Sequence, residues 1–137
     1  MQALPLRLRP GTDLRRALEE SATAQGGVSA FVLAGIGSLG DARLRYAGED
    51  SESTVPGPVE IVQLSGTITP SGVHLHMAVS DASGRVCGGH VGYGNIVRTT
   101  AEILLARLED GTLAREHDPD TGFLELVIRP GANKVTE

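Results

Sequence analysis

"GVHLHMAVSDASGRVCGGHV", residues 72–91, is the most informative stretch of this chain, because its apolar and polar residues alternate on both sides of a turn signal. The tripeptide A-S-G at 82–84 suits a three-residue hairpin loop, whose third position is left-handed and favours glycine. The stretch also carries three of the four histidines of the chain, His74, His76 and His90. We therefore expect an antiparallel β-hairpin with imidazoles on both of its strands.

The loop length sets the register of this hairpin. A three-residue loop places His76 directly opposite His90, and alternation places His74 on the same face as His76, about 7 Å along the strand. A slip of one residue would turn His90 into the apolar face, so the apolar pattern favours the register that clusters all three imidazoles. The other expected pairs are Val79–Cys87, Met77–Gly89, Leu75–Val91 and Val73–Tyr93 on the apolar face, and Ala78–Gly88 beside the histidines.

The three imidazoles are candidate metal ligands. Directly opposed residues have Cβ atoms roughly 5 Å apart, which lets His76 and His90 approach one ion at about 2.1 Å. His74 completes three nitrogen ligands with a fourth position open, and glycines 88, 89 and 92 leave space around His90. Zinc is the expected metal, with nickel or copper next by affinity. The alternative is a polar interface that stacks imidazoles, or an ordinary solvated strand.

Catalysis is not predicted from these residues. An open three-histidine zinc site can activate water, but hydrolysis usually also needs a placed acid or base. Glu60 and Glu102 are the candidates, and nothing in the sequence places either beside the metal. Cys87 falls on the apolar face, so we expect a buried thiol and not a ligand. His117, in "EHDPDTG", is expected in a surface turn and not as a fourth ligand.

Composition narrows the class of protein. The 137 residues carry a net charge of −5, with scattered arginines and one lysine, which disfavours binding to nucleic-acid phosphates. No apolar run approaches the roughly 20 residues of a membrane helix, and the first residues lack a signal-peptide core. One cysteine excludes an internal disulfide and fits a reducing compartment. We expect one domain, residues 1–137, in a soluble cytoplasmic protein without membrane contact.

The N-terminal third predicts a strand, a helix and a second strand. Residues 3–8 alternate like a strand, and residues 10–27 indicate a helix with Thr12 as N-cap, Asp13 in the first turn, and Gly26 and Gly27 at its end. Residues 28–34 indicate a buried strand. "GIGSLG" at 35–40 matches the dinucleotide pattern G-x-G-x-x-G, but that site needs a following helix. The next residues, "DARLRYA", alternate like a strand, so a glycine-rich strand–bend–strand is expected.

The rest of the chain predicts mostly strands. Residues 48–58 indicate a mobile loop and residues 59–69 a strand, and residues 123–129 form a closing strand. Residues 95–110 are compatible with a helix or a strand. The expected fold class is α+β, with a mainly antiparallel β-sheet and one long flanking helix.

Four segments in order, "FVLAGIGSLGDARLRYA", "VEIVQLSGTI", "VHLHMAVSDASGRVCGGHV" and "TTAEILLARL", resemble the plants-and-prokaryotes conserved (PPC) domain. The H-x-H, G-x-V-x-G-G-H and T-A-E elements make the resemblance specific, and it covers nearly the whole chain. It implies a stand-alone prokaryotic member that assembles as a homotrimer, and it makes residues 97–108 a strand. It also implies metal at His74, His76 and His90.

The same resemblance brings a DNA-binding description, because plant members place the domain beside AT-hook segments. This chain has no R-G-R-P core and no basic arm, so direct DNA binding is not expected. Three functions stay open at this point. They are a trimeric interaction module with a metal-capable histidine site, a DNA-associated protein, and a small-molecule binder or metal-dependent enzyme that uses the hairpin cleft.

Overall fold

The computed structural model describes residues 1–24 and 27–131. One helix and ten strands follow one another as β1 (Gln2–Leu8), α1 (Leu14–Thr23), β2 (Ala30–Leu39), β3 (Ala42–Arg45), β4 (Ser53–Val55), β5 (Val59–Thr69), β6 (Gly72–Ser80), β7 (Val86–Val91), β8 (Val97–Arg107), β9 (Thr112–His117) and β10 (Leu124–Arg129). Eight strands form one sheet in the order β1-β8-β2-β5-β6-β7-β3-β4, and β9 and β10 form a separate two-stranded sheet. All neighbouring strands are antiparallel, which confirms the predicted α+β class.

The N-terminus of α1 differs from the prediction by one residue. Asp13, and not Thr12, is the N-cap, because its carboxylate accepts a hydrogen bond from the backbone N–H of Arg16 at 3.2 Å. The same carboxylate accepts a second hydrogen bond, from the backbone N–H of Gly94 at 2.7 Å. Asp13 therefore caps the helix and also ties it to the segment that leads into β8.

The helix ends earlier than predicted. Its last residue is Thr23, and the backbone N–H of Ala24 closes the final turn on the carbonyl of Glu20 at 3.0 Å. Gly27 therefore lies beyond the helix, and Gly26 falls outside the described residues. The face of α1 that packs against the sheet consists of Leu14, Leu18 and Ala22. Within the described part of the chain, no helix is long and apolar enough to span a bilayer.

The glycine-rich stretch at 35–40 is mostly strand. Strand β2 continues without a helix through Leu39, five residues beyond the predicted end, so the stretch is not a nucleotide-binding turn. Gly37 adopts a φ of 151°, and a Cβ atom there would lie 2.3 Å from the carbonyl oxygen of Thr100. Glycine is therefore needed where β2 approaches β8 closely. The structural interpretation of this motif is confirmed.

One face of the large sheet carries the core. Helix α1 and strand β9 pack against it, and buried Leu113 of β9 donates its backbone N–H to Ser29 Oγ at 2.9 Å. The ambiguous segment 95–110 contains strand β8 and no helix, as the family resemblance implies. Strand β4 lies inside the segment predicted as a loop, and β9 was not predicted. The largest buried side chains include Leu14, Leu18, Leu39, Leu44, Leu64, Ile68, Leu75 and Leu105.

Candidate metal centre

Strands β6 and β7 form the predicted hairpin in the predicted register. The backbone N–H of Asp81 donates to the carbonyl of Arg85 at 3.0 Å, and Gly84 takes the left-handed position with a φ of 76°. His76 lies directly opposite His90 in the ladder. The three-residue loop and the register that it sets are therefore confirmed.

The ladder between the two strands ends at this histidine pair. The backbone N–H of Gly92 donates to the carbonyl of Arg43 at 3.1 Å, so the chain continues along β3 after β7. The pairs Leu75–Val91 and Val73–Tyr93 are consequently not part of the β6–β7 register. The histidine pair is thus the last rung of the hairpin, at the end away from the turn.

Three ring nitrogens converge on one point. Nε2 of His76 lies 3.1 Å from Nε2 of His74 and 3.1 Å from Nδ1 of His90, and the remaining side of the triangle is 3.2 Å. Each ring nitrogen offers one in-plane direction, either an N–H or a lone pair. Three mutually adjacent nitrogens therefore cannot all satisfy one another by hydrogen bonds. They fit a shared cation, because nitrogens at this spacing can all lie about 2.1 Å from one ion.

The surroundings of His74 and His90 lower the pKa of both imidazoles. Burial lowers the pKa of His74, and the charges of Arg115, His76 and His90 lower it further. Burial also lowers the pKa of His90, together with the charges of His76 and Arg45. A metal needs the neutral imidazole as its ligand. Both shifts therefore favour metal binding over protonation near neutral pH.

A row of polar side chains crosses four strands at the histidine pair. Ser65 of β5 pairs with His76, His76 with His90, and His90 with Arg45 of β3. Directly opposed residues share one face of a sheet, so Arg45 lies next to His90 on the histidine face. Its guanidinium donates to the carbonyl of Glu49 at 3.0 Å.

A second arginine reaches the same face from the small sheet. His74 pairs with Thr67 of β5, and the guanidinium of Arg115 in β9 donates a hydrogen bond to the Thr67 hydroxyl. The carboxylate of Glu125 in β10 also acts on His74, but its effect on the pKa is smaller than that of Arg115. The histidine group is therefore flanked by guanidinium groups on both sides.

A cavity of about 820 Å³ opens beside His74 and His90. This volume lies within the range of small-molecule sites. Besides the two histidines, its polar lining consists of Arg15, Glu19, Arg45, Glu52, Ser71, Tyr93, Arg115 and Glu125, and its apolar lining includes Val73, Leu75, Phe123 and Leu124. No pattern in the sequence indicates these arginines, which are scattered along the chain like solvated surface residues.

The other candidate residues lie apart from the histidine group. Cys87 is half-buried against the core. Burial raises the pKa of the neighbouring Tyr46, and the interaction with Cys87 raises it further. His117 is exposed at the end of β9. Glu60 and Glu102 are exposed and do not line the cavity. Among the described residues, the metal-capable group consists of His74, His76 and His90.

The Plants and Prokaryotes Conserved (PCC) domain matches residues 1–109 of this chain. The chain belongs to this family. Among curated relatives, the Bifunctional protein GlmU of Synechococcus sp. (strain JA-2-3B'a(2-13)) is 45% identical over 132 residues, which is 96% of this chain and 21% of that protein. The chain therefore spans about a fifth of the length of the curated relatives it matches.

Solved structures agree on the fold of this PCC-domain chain. A hypothetical protein from Salmonella cholerae-suis is 36% identical with a TM-score of 0.90, and the match covers 94% of both chains. The metal-containing protein AF0104 from Archaeoglobus fulgidus is 25% identical with a TM-score of 0.77, over 93% of this chain and 94% of that one. The mainly antiparallel sheet with one helix is thus the fold shared with these proteins.

Proposed function

We propose that this protein is a homotrimeric interaction module that holds a divalent metal ion, expected to be zinc, at His74, His76 and His90. The convergence of three imidazole nitrogens within 3.1–3.2 Å of one another carries the proposal. Three nitrogen ligands leave one tetrahedral position open, so bound zinc would link β6 to β7 and act as a Lewis acid toward a fourth ligand. The metal content of the Archaeoglobus relative supports this assignment.

Exposed apolar residues support the trimer. Leu33, Ile36 and Val62 are each more than half exposed, and Leu104 is 37% exposed. They come from β2, β5 and β8, which are neighbours at the centre of the large sheet. Contiguous exposed apolar residues on a sheet typically mark a subunit interface. A closed three-fold assembly would cover them, and it would give each subunit two identical neighbours.

Metal analysis and mass in solution test both parts of this proposal. We expect one zinc ion per chain by inductively coupled plasma mass spectrometry after incubation with zinc and gel filtration. We expect the mass of three chains by light scattering. A monomer at micromolar concentration without stoichiometric zinc would contradict the proposal outright.

The His76→Ala variant tests whether the metal supports the assembly. Mutation of a residue that only supports a metal ligand typically weakens metal binding by roughly 10–100-fold. Loss of the ligand His76 itself should weaken zinc binding by at least as much. If zinc supports the trimer, this variant should also have a lower Tm and a trimer that dissociates on dilution. His117→Ala is the matched control, because His117 is exposed and outside the histidine group. An unchanged trimer without metal would assign the zinc to ligand binding instead.

The cavity favours a second candidate function. Its volume of about 820 Å³ and its position beside two of the three histidines suit binding of a small molecule, or a reaction on one, next to the open metal position. Ligand-induced stabilisation distinguishes this candidate, since a true ligand raises the Tm with increasing concentration. A pure interaction module would show no such dependence.

A further inference from the structure

The two guanidinium groups beside the histidines have no carboxylate partner. Arg45 donates to a backbone carbonyl and Arg115 to a threonine hydroxyl, and neither forms an ion pair within the described residues. Both side chains are half-buried. Charged side chains in such positions are usually paired with an opposite charge. Both guanidinium groups can therefore pair with a bound anion.

The third arginine of the cavity is already occupied. Arg15 pairs with the carboxylate of Glu19 at 3.0 Å, donates to the carbonyl of Val91 at 2.8 Å, and lies 4.7 Å from the centre of the Tyr93 ring. The Tyr93 hydroxyl in turn donates to the same carboxylate. These hydrogen bonds hold Arg15, Glu19 and Tyr93 together in the lining of the cavity. Among the described residues, Arg45 and Arg115 are thus the two cationic groups of the cavity that remain available.

The register places these two groups on opposite sides of the histidines. Arg45 is the cross-strand neighbour of His90, and Arg115 is anchored on Thr67, the cross-strand neighbour of His74. The carboxylates of Glu52 and Glu125 also line the cavity. Within the described residues, neither carboxylate forms an ion pair with Arg45 or Arg115. A divalent ion would add two more positive charges.

We propose that the cavity binds a small organic oxyanion, a phosphate monoester or a carboxylate, whose charged oxygens lie between Arg45 and Arg115 beside the histidine site. Guanidinium forks match the planar or tetrahedral oxygens of both groups. The apolar side of the cavity, at Phe123 and Leu124, would contact the organic part of the ligand. This proposal rests on the small-molecule candidate above and names the class of its ligand.

Calorimetry with three matched probes tests the proposal. Phenyl phosphate and benzoate share an apolar ring and differ in the oxyanion, and benzyl alcohol carries the ring without charge. We expect the zinc-loaded protein to bind at least one of the two anions, and the anion that binds identifies the ligand class. Equal binding of benzyl alcohol, or no detectable heat with either anion at millimolar concentration, would overturn the proposal.

Two arginine variants make the test specific. Arg45→Gln and Arg115→Gln should each weaken anion binding by about tenfold, the usual effect of losing one charge-assisted contact. Arg98→Gln is the matched control, because Arg98 is exposed on β8, does not line the cavity and carries the same charge. Circular dichroism checks the fold of each variant. If both cavity variants bind as tightly as Arg98→Gln, the assignment is wrong.

The metal content of each sample separates this inference from the proposed metal site. Zinc bound at one equivalent without anion binding would overturn the oxyanion site alone. Absence of zinc would contradict the metal proposal alone. The oxyanion site would then be judged on the metal-free protein, in which Arg45 and Arg115 should still bind the anion. Absence of both zinc binding and anion binding would overturn both proposals.

Discussion

The two hairpins that meet at the cavity differ in what fixes their position. The histidine hairpin, β6–β7, is an inner part of the large sheet, with β5 on one side and β3 on the other. The arginine hairpin, β9–β10, forms its own two-stranded sheet and is held by side chains such as Leu113 and Arg115. One half of the candidate site is therefore built by strand pairing, and the other half is added by tertiary packing.

This difference predicts that the two halves can be separated by mutation. Leu113 is almost fully buried, so Leu113→Ala should lower the free energy of unfolding by about 2–4 kcal/mol and loosen the arginine hairpin. We expect phenyl phosphate binding to fall while zinc stays bound at one equivalent. Ile128→Ala is the control, because Ile128 is exposed on β10. Loss of zinc in Leu113→Ala would show that the halves are not independent.

The pH dependence of stability should come from the histidine hairpin. The pKa values of His74 and His90 are lowered in the folded state, so the unfolded chain takes up protons first as the pH falls through about 6.5. The metal-free protein should therefore lose stability as the pH falls below that value, until the lowered pKa values are passed. Urea unfolding at a series of pH values measures this loss.

Replacement of the responsible side chain checks the origin of this pH dependence. His74→Gln should flatten the curve in part, because His90 still contributes to it. A metal-free protein whose stability does not change between about pH 7 and pH 5 would contradict the prediction.

The hairpin turn offers a smaller and purely local test. Gly84 has a φ of 76°, and a Cβ atom there would meet nothing within 4 Å. The cost of Gly84→Ala is therefore one of backbone conformation, about 1 kcal/mol, and urea unfolding should detect it. Ser83→Ala, in the same loop, is the control. Equal stability of the two variants would mean that the turn does not hold the register.

The smallest expected effect concerns nucleic acid. The acidic net charge of −5 and the location of Arg45 and Arg115 inside a cavity predict no binding to an A·T-rich duplex at about 0.15 M salt. Fluorescence anisotropy of a labelled duplex measures this directly. Micromolar affinity with a steep salt dependence would mean that the arginines track a phosphate backbone and not a small ligand.

The half of the site that is built by strand pairing could be predicted from the sequence, whereas the half added by tertiary packing could not. The histidine register depends on a local turn and on alternation, and both are visible in residues 72–91, so the cluster of His74, His76 and His90 followed from the sequence. Arg115 reaches Thr67 across 48 positions of sequence from a strand that alternation did not reveal. Such a contact depends on how one sheet packs on another, which short-range patterns do not encode.

The same limit applies to the fold. The strand at 59–69 was predicted to the residue, because it is rich in β-branched residues and turn residues bound it. The end of β2 was missed, because the glycines that allow its close approach to β8 resemble a turn. The capping position was missed by one residue, since Thr12 and Asp13 are both good N-caps and the contact with Gly94 that favours Asp13 is tertiary.

The two strands that carry the histidines differ in how extensively they pair with the rest of the sheet. Strand β6 joins β5 through nine residue pairs, whereas β7 joins β3 through two, one of which contains His90. Amide hydrogens of β6 should therefore exchange with solvent far more slowly than those near His90, because local opening needs fewer hydrogen bonds to break there. An incoming ion would bind first to His74 and His76 on β6, and its binding to His90 would then suppress local opening of β7.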